Sequence, residues 1–240
     1  MPHRFLNLDE AAHYLHMARP ELETLVRRHE IPVGCQGERV VFQKKELDSW
    51  ASQRIMKLRD AGLADFHHRT TTRRGLNLEA RHAIMPELLL TSSIAPALHS
   101  RTKSSVLRDM VALAEHTERL MDPQDLLASL REREELCSTA LPGGVALLHP
   151  RHHDPYMFSE SFVAVGRTVQ AIPFGAPDGS GTDLFFLLCC QDDRIHLHVL
   201  ARVCCMCHNT ALLEGLRTAP DATALHKIIL HAEKEAIRLL

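Results

Sequence analysis

Apolar residues near the start of the chain recur at helical spacing. Leu8, Ala11, Ala12 and Leu15 fall on one face behind Asn7 and Asp9, either of which can serve as an N-cap, and predict a first helix of about residues 9–16. Pro20 at a first helical position, followed by Leu22, Leu25 and Val26, predicts a second helix ending near His29, before Ile31-Pro32. From Val33 to Phe42 the period drops to two around Gln36-Gly37, which suits a hairpin. Lys44 to Arg54, carrying Leu47 and Trp50, returns to a helical period.

Beyond Met85 two more helical stretches follow. Residues 105–118 place Val106, Leu107, Met110, Val111 and Ala114 on one face, and residues 123–135 place Leu126, Leu127 and Leu130 together. The pattern then changes to short apolar or β-branched runs between Gly, Pro and Asp turns, predicting strands at 145–148, 162–165, 169–172 and 184–190. Helices of about 196–210 and 222–231 close the chain. Helices on either side of a block of strands predict an α/β fold with a mixed sheet, preceded by a small winged helix-turn-helix domain. Arg69-Thr70-Thr71-Thr72-Arg73-Arg74-Gly75 has no hydrophobic period and is expected to be linker. The expected division is therefore 1–57, a linker over 58–84, and 85–240.

At 240 residues the chain has room for one large or two smaller domains. Its 45% hydrophobic and 24% charged content is that of a soluble globular protein, with no apolar run near the roughly 18–20 residues that span a bilayer. Met1-Pro2-His3-Arg4 lacks the apolar core of a secretion signal, so a cytoplasmic location without membrane insertion is expected. Charge is divided unevenly: residues 1–82 hold 14 Lys+Arg against 11 Asp+Glu, a formal +3, and the remainder a formal −5. Five of seven cysteines are bunched as Cys189-Cys190 and Cys204-Cys205-Met206-Cys207, which is no disulfide framework. Cys204, Cys207 and His208 share a helix face and could ligate a metal, but buried thiols in an apolar helix are the better reading, and neither metal nor cofactor is expected.

The first fifty residues resemble the excisionase and MerR-like DNA-binding domains. Glu10-Ala11-Ala12-His13-Tyr14-Leu15 fills the first-helix motif, Ile31-Pro32 the turn before the wing, and Lys45-Glu46-Leu47 the start of the closing helix. The resemblance implies that the second helix enters the major groove while the wing touches the backbone, with Arg19, Arg27, Arg28, Arg39, Lys44 and Lys45 as DNA contacts.

Residues 85–240 resemble the enzyme IIA domains of the phosphotransferase system, of the mannitol/fructose and nitrogen-regulatory type. The resemblance is carried by Arg133-Glu134-Glu135-Leu136-Cys137-Ser138-Thr139, Gly143-Gly144-Val145-Ala146 and His149-Pro150. Phe174-Gly175-Ala176, the strand Asp183 to Leu188 and His196-Leu197-His198-Val199-Leu200 follow in the family's order. It implies that His149 is the phosphorylated histidine, His196 the second active-site histidine and Arg133 the source of positive charge. The chemistry suits those residue types: an imidazole is nucleophilic and can pass on a phosphoryl group, and a guanidinium and a second imidazole stabilise the anion. His198 competes with His196, but two helix positions differ by about 200°, so only one can face the site. Leu148 and Pro150 stand where the family has proline and a small residue, and Pro150 brings no N–H to a phosphate. His152 and His153 are further imidazoles nearby.

Together the resemblances imply a regulatory phosphocarrier that accepts a phosphoryl group on His149 from an HPr-type histidine phosphocarrier and couples it to DNA or partner binding. Two other readings stand beside it: a DNA-binding regulator whose IIA-like domain only senses or dimerises, and a sugar-specific IIA component passing phosphate to an enzyme IIB. A regulatory protein partner and a second copy of the chain, as a homodimer, are the remaining candidate partners.

Overall fold

The computed structural model describes residues 5–37, 39–58, 62–67, 82–152 and 156–239. The N-terminal unit runs β1 (Phe5–Leu6), α1 (Leu8–Tyr14), α2 (Arg19–Arg27), β2 (Gly34–Gln36), β3 (Arg39–Gln43) and α3 (Lys44–Lys57), followed by α4 over residues 62–67. Asn7 caps α1 in a full capping box with Glu10, while Ala18 leaves α2 without a side-chain cap. β2 and β3 pair as the expected wing, and β1 adds a third strand that two residues of sequence could not announce. Tyr14 hydroxyl donates to Asp48 and ties α1 to α3.

The larger unit runs α5 (Met85–Leu88), β4 (Leu89–Leu98), α6 (Lys103–Glu115), α7 (Pro123–Leu136), β5 (Ala140–Leu141), β6 (Val145–Leu148), β7 (Phe162–Ile172), β8 (Thr182–Cys189), α8 (Asp193–Asn209), α9 (Leu212–Thr218) and α10 (Ala222–Leu239). Its five strands are ordered β4-β7-β8-β6-β5, with β4–β7 and β6–β8 parallel and the other pairs antiparallel, so the sheet is mixed as expected.

Side chains alternate between two cores. Leu147, Val165, Phe186 and Leu188 join the core under α8 and α10, whereas Ala146, Leu148, Ala164, Phe185 and Leu187 join the one under α6 and α7. Burial on both faces explains why these strands read as continuous apolar runs. The core under α8 continues into the N-terminal unit through Leu47, Ala51 and Ile55 of α3, and Leu63 and Phe66 of α4.

Several expectations need correcting. The two strands expected at 162–165 and 169–172 are one 11-residue strand, β7, because Gly166 is a close-approach position rather than a turn: a Cβ there would lie 2.5 Å from Leu98 Cδ1 and 2.6 Å from Met110 Sδ. β4 is an addition to the expected strands; Leu89–Leu98 carries a serine pair and Pro96, which a sheet tolerates at its edge. α9 is an added helix, and α10 extends to Leu239. Of the expected linker 58–84, residues 62–67 are helix and Ile84 caps α5, while 69–75 lie outside the described residues. Among the described residues no helix is long and apolar enough to cross a membrane.

Candidate functional site

The loop leaving β6 sets the position of His149. Gly143 and Gly144 have φ of +88° and +78°, conformations that L side chains rarely adopt, and they turn the chain from β5 into β6. β6 then runs parallel to β8 and delivers His149 to the C-terminal end of that pair, while Ser129 Oγ of α7 accepts from the backbone N–H groups of Arg151 (2.8 Å) and His152 (3.3 Å) just beyond. Pro150 therefore sits in a pinned turn.

His149 Nδ1 lies 2.8 Å from the carbonyl of Leu147, which can only accept, so Nδ1 carries the ring proton. The lone pair is then on Nε2, and Arg133 Nε donates to it over 2.9 Å. Arg133 belongs to the last turn of α7; its Nη1 donates to the carbonyl of Cys137 (3.1 Å) and lies 3.3 Å from Cys137 Sγ. Its Nη2 is buried with no hydrogen-bond acceptor among the described residues. The end of α7 is itself braced: buried Glu134 accepts from Thr139 Oγ1 (2.6 Å) and Thr139 N, and pairs with Lys103 at 2.8 Å.

His196, in the first turn of α8, stacks obliquely on His149, with ring centroids 4.8 Å apart and planes at 39°. The structure thus brings together Arg133, His149 and His196, the three residues expected from sequence, at 1%, 2% and 2% exposure. It adds Ser52 of α3, whose Oγ lies 3.2 Å from His196 Nε2. Ser52 could not be foreseen, because nothing in a small polar residue of a distant helix signals the site it will meet; Cys137 stood out only as part of a motif. His153 lies outside the described residues, and His152 is 3.9 Å from Glu132.

His198 points the other way, as the helical angle requires. Its ring lies 4.9 Å from that of His67 at 39°, and Arg202 Nε donates to His67 Nε2 over 2.9 Å, which repeats the geometry around His149. Here, however, the arginine is neutralised by buried Glu233 at 3.1 Å, and Glu233 also accepts from the N–H groups of Ile84 and Met85. This second cluster is a joint between α4, α5, α8 and α10 rather than an anion site. Burial, reinforced by the positive Arg202 and by His16, pushes His198 down to about 3. The unfolded chain, with an ordinary imidazole near 6.5, then binds more protons at every pH between those values, so stability is fully present above about 6.5 and falls as pH drops. The expected loss from this residue is about 2 kcal/mol by pH 5. Denaturant titrations of wild type and His198→Leu across pH 5 to 7 check it, the substitution flattening the slope.

Cys204, Cys205 and Cys207 are buried, and burial raises Cys205 to about 11 and Cys207 to about 12, as thiols packed in a core should behave. Of the expected DNA contacts, Arg27, Arg28, Arg39 and Lys45 are exposed. Arg19 is exposed but committed to Asp9 (2.8 Å) and Glu23 (3.0 Å), and Lys44 lies over the Tyr14 ring at 5.7 Å.

A mixed sheet sandwiched by helices, with an arginine and two histidines meeting at one strand edge and a helix-turn-helix unit packed against it, defines the class. Residues 87–232 match the family model described as phosphoenolpyruvate-dependent sugar phosphotransferase system, EIIA 2, and the chain belongs to that family. Residues 5–55 match a helix-turn-helix domain model. A nitrogen regulatory protein of Pseudomonas aeruginosa is 28% identical over 134 residues, covering 55% of this chain and 85% of that protein. Its Escherichia coli counterpart is 28% identical over 141 residues, 57% of this chain and 83% of that one. Among solved structures, nitrogen regulatory protein IIA-Ntr from Neisseria meningitidis is 28% identical with a TM-score of 0.56, covering 61% of this chain and 99% of that one. IIA mannitol from Escherichia coli, 14% identical with a TM-score of 0.52 over 58% of this chain and 97% of its own, shares the fold.

Proposed function

We propose that this protein is a regulatory phosphocarrier whose His149 accepts a phosphoryl group on Nε2 from an HPr-type histidine phosphocarrier. The observation that carries the reading is the orientation of His149: Leu147 holds the proton on Nδ1, leaving the nucleophilic lone pair on Nε2 beside the Arg133 guanidinium. Transfer breaks the P–N bond of the donor imidazole, which keeps the electron pair, as the P–Nε2 bond forms. Arg133 then donates to phosphoryl oxygens, giving its buried Nη2 an acceptor. His196, stacked on His149, is the second donor to the transferring group. Pro150 contributes no N–H, so the two side chains bear more of that stabilisation. The partners are an HPr-type carrier and a regulated partner, whether protein, enzyme IIB or DNA, and the working compartment is the cytoplasm. The nitrogen regulatory relatives favour regulation over sugar uptake. The test is transfer of label from a phosphorylated HPr-type carrier, wild type against His149→Ala.

A DNA-binding role is the second reading, and the exposed Arg27, Arg28, Arg39 and Lys45 favour it. Duplex DNA binding is expected to weaken as salt rises. Arg27→Gln with Arg28→Gln should reduce the slope of log affinity against log salt by about 2, one unit for each phosphate no longer neutralised. Fluorescence anisotropy over a salt series checks this; an unchanged slope removes these residues from the interface.

A further inference from the structure

Helix α3 belongs to the helix-turn-helix unit, yet it lies against α8 of the IIA domain and touches His196, the ring stacked on His149. Ser52 Oγ stands 3.2 Å from His196 Nε2, and Ser52, Arg133, His149 and His196 are all at 2% exposure or less. A phosphoryl donor carried on another protein must bring its own imidazole in line with His149 Nε2, within about 3–3.5 Å of the reacting atoms before transfer. No protein surface reaches an atom so covered. Phosphorylation also brings about two negative charges to a ring stacked on the partner of Ser52. Arg133 supplies one compensating guanidinium, and the remaining charge would be buried against α3 and its apolar neighbours, at a large desolvation cost.

Beside Ser52, α3 and the IIA domain border a partly open cleft of about 260 Å³, lined by Gln53, Met56 and Lys57 on one side and by Cys137, Leu141 and His208 on the other. Side chains along a cleft that water can enter bury less apolar surface than those in a close-packed core, so this end of the interface contributes less to holding α3 in place.

We infer that the face of the IIA domain around His149 is the docking surface of α3, and that α3 seating and phosphoryl transfer to His149 exclude one another. The helix-turn-helix unit is thus a lid that competes with the phosphoryl donor, and phosphorylation in turn drives it off. By linkage, whatever holds α3 down disfavours phosphorylated His149, and whatever phosphorylates His149 frees α3. The inference rests on the phosphocarrier reading above.

The test uses the full chain with two independent readouts at His149. Diethyl pyrocarbonate, which acylates accessible neutral imidazoles, is mapped by peptide mass spectrometry; phosphoryl uptake from a phosphorylated HPr-type carrier is followed by label. In Ser52→Arg, whose side chain wedges α3 outward, both rates at His149 are expected to rise on the order of tenfold, as a modest shift in an open–closed ratio produces. Met56→Glu, on the same seam, serves as a second and milder wedge. In wild type, phosphorylation is expected to speed amide hydrogen exchange across residues 44–57, a measurement that needs no variant. Equal acylation of His149 in wild type and both wedge variants would overturn the lid, even if labelling proceeds. So would unchanged exchange in α3 on phosphorylation. Faster acylation with no label in any protein would show a lid over a histidine that is not phosphorylated, ending both the phosphocarrier reading and the exclusion built on it.

Discussion

His149→Ala is expected to take no label from a phosphorylated HPr-type carrier, against full labelling of wild type at long times. The reason is direct: alanine has no nitrogen, and the Arg133 guanidinium and the Leu147 carbonyl act on the His149 ring itself. Arg133→Met should fold, because its aliphatic length is kept, but should slow labelling by about a hundredfold or more, the usual result of removing one preorganised charge-stabilising donor. His196→Ala should fall between wild type and Arg133→Met, since it removes one donor and leaves the guanidinium. Labelling that persists in His149→Ala, mapped to another histidine, would refute the assignment. Acid-labile, alkali-stable label confined to a peptide containing His149 would support it.

Glu233→Ala is expected to destabilise the protein by about 3–5 kcal/mol, the cost of removing one partner from a buried ion pair. Arg202 and Glu233 are both fully buried, and burial pulls the Arg202 guanidinium down and pushes the Glu233 carboxyl up from their ordinary values, each held partly in check by the other. Deleting Glu233 leaves Arg202 charged in an apolar core and orphans the N–H groups of Ile84 and Met85 at the start of α5. For a chain of this size the melting temperature should fall by about 6–20 °C. Arg202→Met combined with Glu233→Leu should recover much of the loss, because no uncompensated charge remains. A double variant no more stable than Glu233→Ala would mean that the pair acts chiefly by holding α4 and α5 in place, not by balancing charge.

The fold was largely legible because its signals are local. Helical faces such as Val106, Leu107, Met110, Val111 and Ala114 must be covered by something, and strand runs such as 184–190 are apolar on both sides only when both faces of a sheet are covered. β4 was hidden because an edge strand needs no continuous apolar run and tolerates Pro96, and β7 was split in two because a glycine in a strand reads as a turn until its neighbours are known. The members of the candidate site were legible for another reason. Arginine and histidine sit in motifs that resemble those of the IIA family, and the helical angle required that only one of His196 and His198 face the site, the resemblance implying His196.

By itself, then, the sequence determined the order of most of the elements and the pairing of a helix-turn-helix unit with an α/β sandwich, while its resemblance to the IIA family implied which arginine and histidines belong together. The first two follow from periodicity and turn chemistry, which act over a few residues at a time. Only the tertiary structure decided that Nε2 of His149 holds the lone pair, since that depends on a carbonyl and a guanidinium brought to the same ring from different elements. It alone placed Ser52 against His196, 144 positions apart in the chain, and so turned an independent N-terminal domain into the cover of the site. Contacts of that kind arise where two buried surfaces meet, and no local pattern records which surfaces those will be.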